Sequence, residues 1–578
     1  MSEIVIPRGT WLENAGIIGV CNVLDRADLP FDLNANRLII DSVVLEHFGT
    51  AYFDSFKQRY EVFLSPYVIK QKGNLLLERR QWDKEGIDQL NKYIDWAKSK
   101  LTSNSYVAAY RVAVNGAIEI RTLAKALKKI NLKKNQTVED VQPAISEELS
   151  TIGRILELLT DSTTWKLVMA KQVSYSIINQ FWSNVSMLNR NAADQDPIVA
   201  YETYFIDPLK NYLKEDHQKD KYCCLTCNQP IKKLSKPAAF DLTWLNKMGV
   251  DMTRKTSHFW NLNAGTSYIC PVCNFILSCV PAGFSVLKGQ GYLVNSSSDL
   301  FQMRSLNDTA KELNAQNDET INLLELRSYY QLIDLMEQGK AEQEKREIDN
   351  IQIIKFNSAD SLRPYTFNVL SKDKLEIIQR NKKSLDKLIK AVVRTDDGDY
   401  LNIYQQVFKR LYDNKNQFDL IQKIYRSSIP EQSAAPLKNA FIIRQLIYIN
   451  NDFIYSIRKR GGEQMSDYSP SYVPKPVINQ MIKAGQKLAT VYIKDKSVNK
   501  LQGITYRLLN ALKTKNTSRF MDTFFNAYLY VKNTEPGSEL IIPLELSDAL
   551  HDEDKLQTLG YAFILGFRSG RGLKEEED

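Results

Sequence analysis

Histidine is scarce in this chain. Its 578 residues hold four, His47, His217, His258 and His551, and no two form an H-x-H or H-x-x-x-H pair. Hydrolytic metal centres draw on such pairs. His551-Asp552 therefore lacks the further ligands that a metal phosphohydrolase needs. No G-x-x-x-x-G-K-[ST] loop is present to cradle the phosphates of ATP. Asp396-Asp397-Gly398-Asp399 lacks the later glutamate and the spacing of a calcium loop, and it reads as a turn. No uninterrupted apolar run reaches the ~18 residues of a membrane span. The first residues, Met1 to Arg8, have no charged stretch followed by an apolar one, so no signal peptide is expected. Internal repeats and long low-complexity tracts are also missing. These absences lead us to expect a cytoplasmic protein without intrinsic catalysis and without a membrane partner.

Cysteine is sparse too, but it is patterned. Four of the seven cysteines form two C-x-x-C pairs, Cys224/Cys227 and Cys270/Cys273. Two thiols at this spacing bind one metal from a single turn, and two such turns complete a tetrahedral site. Asn228-Gln229-Pro230 follows the first pair and Pro271 lies inside the second, so both pairs are expected in turns. We expect structural Zn2+ at Cys224, Cys227, Cys270 and Cys273. The competing readings are ordinary buried cysteines or a redox pair, and the latter lacks a βαβ setting. Cys21, Cys223 and Cys279 read as free buried thiols, although Cys223 could compete with Cys224 for the metal. Seven cysteines, four of them in metal spacing, suit a reducing compartment better than a disulfide framework.

Most segments read as helix. Thr163 to Leu188 is long, apolar and free of breakers. Leu90, Ile94, Ala97 and Leu101 recur at helical spacing, as do Leu501, Ile504, Leu508 and Leu512, and Phe520, Phe524, Tyr528 and Val531. The expected strands are few: Arg37 to Leu45, Tyr67 to Ile69, Ile351 to Phe356 and Tyr365 to Leu370. The fold class is thus mainly α, with a small mixed α/β N-terminal part, a zinc-knuckle insert and a C-terminal helical bundle. Breakers suggest four regions: 1–216, the insert 217–285 closing at Pro281 to Gly283, a mainly helical 286–462, and 465–578 beyond the Gly461-Gly462 hinge. The acidic end, Glu575 to Asp578, reads as a disordered tail.

Net charge is +8, from 76 basic and 68 acidic residues, which permits local nucleic-acid patches without demonstrating them. Lys125, Lys128, Lys129, Lys133 and Lys134 form one cluster. Lys232, Lys233 and Lys236 follow the first knuckle, and Arg254 and Lys255 precede the second. Lys72, Arg79 and Arg80 lie around Gly73, which suits a loop near phosphates. Each cluster could equally be a solvated helix face. The knuckle-associated residues are the best candidates, because zinc would rigidify the backbone that presents them.

The cysteine pairs and their surroundings resemble a known family, the large subunit of the type I-B CRISPR effector complex, Cascade, in its CXXC–CXXC branch. Trp11 to Gly19 is similar to that family's N-terminal signature. Cys224 to Cys227, and Tyr268 to Cys273 with Trp260 and Asn261 upstream, are similar to its metal region. Leu559 to Phe567 is similar to its C-terminal end, although a glycine-spaced apolar helix of this kind is commonly plain packing. The resemblance implies a prokaryotic binding and scaffolding protein rather than an enzyme. Its partners would be a guide-RNA complex with backbone and other Cascade subunits, target duplex DNA and the displaced single strand. It would help recognise the protospacer-adjacent motif, stabilise the R-loop and recruit a helicase-nuclease or transposition proteins. Base pairing with the guide would read most of the sequence, and protein contacts a few base pairs. A zinc-ribbon nuclease and a nucleic-acid-binding regulator unrelated to CRISPR are the alternatives.

The resemblance also implies that a small subunit can be made from the end of the same gene. Arg460-Gly461-Gly462-Glu463 can be encoded by a purine-rich ribosome-binding sequence just before Met465. The product, 465–578, would have 114 residues, with Met481 as a fallback start. Between Met465 and Lys532 there are 11 Lys/Arg against 3 Asp and no Glu, which would suit holding displaced single-stranded DNA.

Overall fold

The computed structural model describes residues 3–569, apart from 114–116, 134–135, 193, 233–242, 249–267, 288, 297–298, 308–320, 339–350, 360–364, 396, 430–436, 461–471, 495–496 and 535–543. The chain divides into two compact units, Met1–Ser328 with Glu347–Asn368, and Tyr329–Arg346 with Val369–Asp578. Helix dominates both, and the small sheets sit mainly in the first.

In the first unit, β1 (Glu3–Pro7), β2 (Asp32–Leu33) and β3 (Arg37–Asp41) form an antiparallel sheet in the order β1-β3-β2. Ile4, Ile6, Leu38 and Ile40 are buried between more exposed neighbours, the period-two pattern of a half-covered sheet. Helix α1 (Trp11–Arg26) starts at a capping box between Thr10 and Glu13 and is buried at every position from Asn14 to Leu24. A helix apolar on all sides is a core helix. Then come α2 (Phe48–Tyr60), α3 (Ser65–Leu77), α4 (Lys84–Leu101), α5 (Asn104–Val112), α6 (Ala117–Ala126), α7 (Gln142–Thr160) and α8 (Ser162–Ser176). One core gathers around α1, with Phe48, Tyr52, Trp182 and Phe275. A second joins Leu90, Ile94, Ala97 and Leu101 of α4 to Ile152 and Ile155 of α7, as the helical spacing of α4 anticipated.

Three expectations are corrected here. The helix expected over Thr163 to Leu188 ends at Ser176, followed by single 3-10 turns at Ile178–Gln180 and Ser186–Leu188. Asn184 and Ser186 take left-handed conformations (φ 70° and 50°), and the break lets Phe181 and Trp182 turn fully into the core. The strand expected at Tyr67 to Ile69 is the interior of α3, which Pro66 opens from its first turn. The strand expected to reach Leu45 stops at Asp41, whose carboxylate accepts from the Val43 N–H (2.9 Å) and turns the chain into a 3-10 segment.

Helices α9 (Pro197–Tyr201) and α10 (Asp207–Lys214) lead to a hairpin of β4 (Tyr222–Cys223) and β5 (Pro230–Ile231). Helices α11 (Pro271–Ser278) and α12 (Val280–Gly283) follow, then β6 (Ser285–Leu287) and β7 (Gln290–Asn295). After α13 (Leu300–Asn307) and α14 (Ile321–Gln338), β8 (Ile351–Asn357) and β9 (Tyr365–Leu370) complete a sheet in the order β6-β7-β8-β9. These last two match the strands expected there.

Helices α11 and α12 are core, packed directly on α1. A Cβ at Gly19 would lie 1.9 Å from the Cys279 carbonyl oxygen, and one at Gly16 would lie 2.5 Å from that of Ile276. Gly283 meets the Ala15 carbonyl in the same way, at 2.0 Å. Only hydrogen fits at these crossings, so the two glycines of Trp11 to Gly19 fix where α11 sits.

The second unit contains α15 (Lys372–Arg380), α16 (Lys382–Leu388), a hairpin of β10 (Val392–Arg394) and β11 (Tyr400–Asn402), α17 (Ile403–Tyr412), α18 (Phe418–Ser428) and α19 (Ala440–Arg460). It continues with α20 (Lys475–Lys494), α21 (Val498–Lys513), α22 (Thr517–Thr534), α23 (Leu544–Asp548) and α24 (Glu553–Ser569). Leu501, Leu508, Leu512, Phe520, Phe524 and Val531 are buried, while Ile504 and Tyr528 are half-buried. Helix α24 is buried from Leu556 to Ser569, so the glycine-spaced Leu559 to Phe567 is packing. A Cβ at Gly566 would lie 1.8 Å from the Ile482 carbonyl of α20. Tyr425 of α18 also donates to the Tyr561 carbonyl (2.6 Å).

Candidate metal centre

The first cysteine pair sits on the β4–β5 hairpin. The Cys224 N–H donates to the Gln229 carbonyl (2.8 Å) and the Asn228 N–H to the Cys224 carbonyl (3.0 Å). Asn228 turns the chain with φ 59°, a conformation asparagine tolerates. The second pair opens α11. Cys270 is its N-cap, with a sulfur that accepts from the Cys273 N–H (3.4 Å), and Pro271 occupies the first turn. The expectation of two turns holds for the first pair. The second pair lies at a helix start, with Cys273 already helical.

Two links join the halves. The Leu225 N–H donates to the Tyr268 carbonyl (2.9 Å), and the Cys270 N–H donates to the Cys224 sulfur (3.3 Å). The Cys224 and Cys273 sulfurs are 3.7 Å apart, those of Cys227 and Cys270 are 3.6 Å apart, and all four lie within 4.8 Å of one another. A zinc ion with sulfur at about 2.3 Å in tetrahedral geometry separates its sulfurs by about 3.8 Å. The residues therefore fit Zn2+, and this cluster could hold it as a structural metal. Cys224, Cys270 and Cys273 are buried and Cys227 is half-buried.

The electrostatics split the four thiols, with Cys224 and Cys227 lowered and Cys270 and Cys273 raised. Hydrogen bonds from Cys227, Cys270 and Cys273 pull the Cys224 thiol far below its ordinary range. Hydrogen bonding to Cys224, Cys227 and Cys270 pushes Cys273 the other way, because four adjacent sulfurs cannot all ionise unaided. A bound dication would supply the missing charge. The N-terminal end of α11 adds a favourable dipole.

A brace beside the hairpin was not legible in the sequence. The Tyr212 hydroxyl donates to the Pro230 carbonyl (2.9 Å), and its ring stacks on His217 with centres 4.0 Å apart. His217 joins Asp220 through Nδ1 (2.7 Å) and the Tyr212 carbonyl through Nε2 (2.8 Å). These contacts tie α10 to β5 and steady the first pair from behind.

The cysteines outside the cluster divide. Cys21 and Cys279 are buried, and burial pushes both thiols up to about 12. Cys223 is exposed on β4 and is not part of the cluster, which corrects the reading of it as buried or competing. Strand alternation sends its side chain to the face opposite Cys224.

Among the described residues, the basic candidates lie on separate elements. Lys232 is exposed, 3.4 Å from the Glu215 carboxylate. Lys233, Lys236, Arg254 and Lys255 lie outside the described residues, as do Lys134, Trp260, Asn261 and Met465. Lys129 pairs with Asp95 (2.5 Å). Gly73 is not in a loop. It is buried inside α3, where a Cβ would meet the Tyr93 hydroxyl at 2.7 Å, so it serves helix packing. Lys72 and Arg79 line one groove between α3 and α4, and exposed Arg80 stands outside that lining. Asp552, of the His551-Asp552 pair, is held by Arg458 (2.9 Å) in a structural ion pair.

Comparison with known proteins adds one match. Residues 217–285 match a family model described as CRISPR-associated protein (Cas_CXXC_CXXC). The match spans the four cysteines and a small part of the chain. No curated protein and no solved structure matches it.

Proposed function

We propose that this chain is the large subunit of an RNA-guided, type I-B CRISPR surveillance complex. The observation that carries this is the coincidence of the CRISPR-associated family match with a four-sulfur cluster of metal-binding geometry inside it. In this reading the protein recognises the protospacer-adjacent motif in duplex DNA, stabilises the R-loop and recruits a helicase-nuclease or transposition proteins. Its metal is structural, since four thiolates leave no open position for water or substrate, and we assign the chain no catalytic step. Among the described residues, no helix is long and apolar enough to cross a membrane. We place the complex in a prokaryotic cytoplasm. Lys232, Lys233 and Lys236, beside the first knuckle, would supply phosphate contacts.

Co-purification from native cells, with mass spectrometry and RNA sequencing, tests this. Guide RNA carrying repeat sequence, with backbone subunits, is the expected result. A chain that carries no such RNA is instead a regulator outside CRISPR, and divalent-dependent cleavage by the chain alone would make it a nuclease. The reading extends to a small subunit started at Met465. The native gene with a C-terminal tag should then yield a second product of 114 residues, lost when Met465 becomes Leu. A single full-length band would remove that extension.

A further inference from the structure

Helices α3 and α4 enclose an open groove of about 600 Å3 within the first unit. Its walls are one face of each helix. Lys72, Leu75, Leu76 and Arg79 come from α3 and the residues just after it, and Lys92, Tyr93 and Trp96 come from α4, all at three- and four-residue spacing. Tyr93 is fixed by its hydroxyl bond to the Ile69 carbonyl (3.2 Å), and Gly73 lets it approach. The groove is thus built on rigid helical backbone, in the size range of small-ligand sites.

Its lining combines an aromatic ring with cations. Trp96 is half-buried in the wall and Leu75 is 63% exposed beside it, an apolar surface left open to solvent. Lys72, Lys92 and Arg79 stand around that surface with one lining carboxylate, Glu78, and Arg79 is ion-paired with Asp83 (2.9 Å). The Lys72 ammonium stands over a Trp96 ring, 5.4 Å from its centre, so a stacking base would displace this flexible side chain from the indole, and Lys92 is exposed one turn before Trp96. Arg79 is held in place by hydrogen bonds to the Gln81 carbonyl, Gln89 and Asp83, each 2.9 Å. A flat aromatic face between flexible ammonium groups suits a base that stacks while its flanking phosphates meet the lysines. An acidic peptide would satisfy the cations but would not need an indole face.

We propose that the α3–α4 groove is a single-nucleotide subsite for single-stranded nucleic acid, with the base stacked on Trp96 and flanking phosphates on Lys72 and Lys92. It rests on the reading of the chain as a nucleic-acid-binding protein, but not on the guide complex. Displaced DNA and guide RNA offer the same stacking chemistry.

The test is fluorescence anisotropy of the full chain with labelled single-stranded DNA and RNA oligomers of about 12 nucleotides, across a salt series. Trp96→Ala should weaken binding about 5- to 150-fold, the range that stacking of one base supports. Trp96→Phe should keep most of the affinity. Leu75→Glu changes an exposed residue, so it preserves folding and should also weaken binding. Lys72→Gln with Lys92→Gln should lower the salt slope by about 1.4, two phosphates at about 0.7 each. Tighter binding of DNA than of RNA assigns the groove to the displaced strand, and the reverse to the guide. Unchanged affinity in both Trp96→Ala and Leu75→Glu overturns the groove and leaves nucleic-acid binding elsewhere on the chain intact. No binding of either strand by the wild-type chain overturns the groove together with the reading it rests on. Loss of a protein partner from the native complex in Trp96→Ala, with strand affinity unchanged, overturns it in favour of an acidic peptide.

Discussion

The two cysteine pairs supply equal numbers of sulfurs and are supported very differently. Cys270 and Cys273 stand at the mouth of α11, a helix pressed onto α1 so closely that carbonyls touch glycine. Cys224 and Cys227 stand on a hairpin with strands of two residues each, and Tyr222 and Leu225 are exposed. A two-stranded hairpin is marginal by itself in water. Half of the ligand set is therefore built by the hydrophobic core before any metal arrives. The other half has less beneath it: buried Cys224 and Ile231, two hydrogen bonds to the second pair and the Tyr212–His217 brace. Metal would complete this site by tying the less supported hairpin to a fixed post.

The strongest way to break the contrast is to remove the post. Gly19→Val puts a side chain where a Cβ would already lie 1.9 Å from the Cys279 carbonyl oxygen. That oxygen is backbone and cannot swing aside, so α1 and α11 must separate. We expect a loss of about 3 kcal/mol or more, at the upper end of overpacking effects. Thermal unfolding of the full chain checks this, and an unchanged melting temperature would show that the crossing is slack. Metal content should fall as well, because Cys270 and Cys273 move with α11.

The next effect separates the halves. Chelation, or Cys227→Ser, should release the hairpin while leaving α11 in place. Structural zinc contributes its binding energy to folding, and here that contribution falls on the half with the fewest other contacts. Hydrogen exchange of the Cys224 and Asn228 amides should approach the unprotected rate without metal. The amides of Phe275 to Ser278 should stay within about tenfold of their starting values, since their protection comes from the core. Equal loss in both segments would mean that the second pair is no better organised than the first. Zinc analysis of the untreated chain is the companion measurement, with one ion per chain expected.

This contrast also shows what a sequence can and cannot disclose. The four clustered thiols were legible because thiol spacing is a local property of the chain. So was the stripe of α4, since helical periodicity within one segment reports the buried face. The end of α8 was not, because neither glycine nor proline marks it: the chain leaves the helix at Ile177, well before left-handed Asn184 and Ser186. The strand misread at Tyr67 is a case of short apolar runs being ambiguous until Pro66 is read as a helix start. The packing of α1 on α11 joins residues some 260 positions apart. The glycines at 16 and 19 were visible as a motif, but their partner carbonyls were not. The brace on the hairpin and the α3–α4 groove likewise depend on tertiary approach. Lys72 and Arg79 were noted for charge, while Trp96 and Lys92 gave no signal of their own.

The smallest expected effect concerns the brace, and its sign can be worked out. Burial disfavours charge on His217, but its hydrogen bonds to Asp220 and to the Tyr212 carbonyl outweigh this and raise its pKa above the ordinary value. A histidine whose folded-state pKa is raised stabilises the fold fully below its unfolded pKa of about 6.5, and that stabilisation fades as pH rises through the folded value. Asp220→Asn keeps a hydrogen-bond acceptor and removes the charge. The wild-type melting temperature should therefore exceed that of Asp220→Asn most clearly at about pH 6. By about pH 8, with His217 neutral, the gap should narrow to that of a neutral hydrogen bond. Zinc-saturated protein should be used at both values, since acid also protonates thiolates and releases metal. The pair is mostly shielded, with His217 19% and Asp220 6% exposed, and the effect is small because the burial that holds the pair also disfavours the charge on His217. A gap that is constant or widens as pH rises would show that the Asp220 charge does not act through His217, and the brace would then reduce to the Tyr212 hydroxyl and its bond to Pro230.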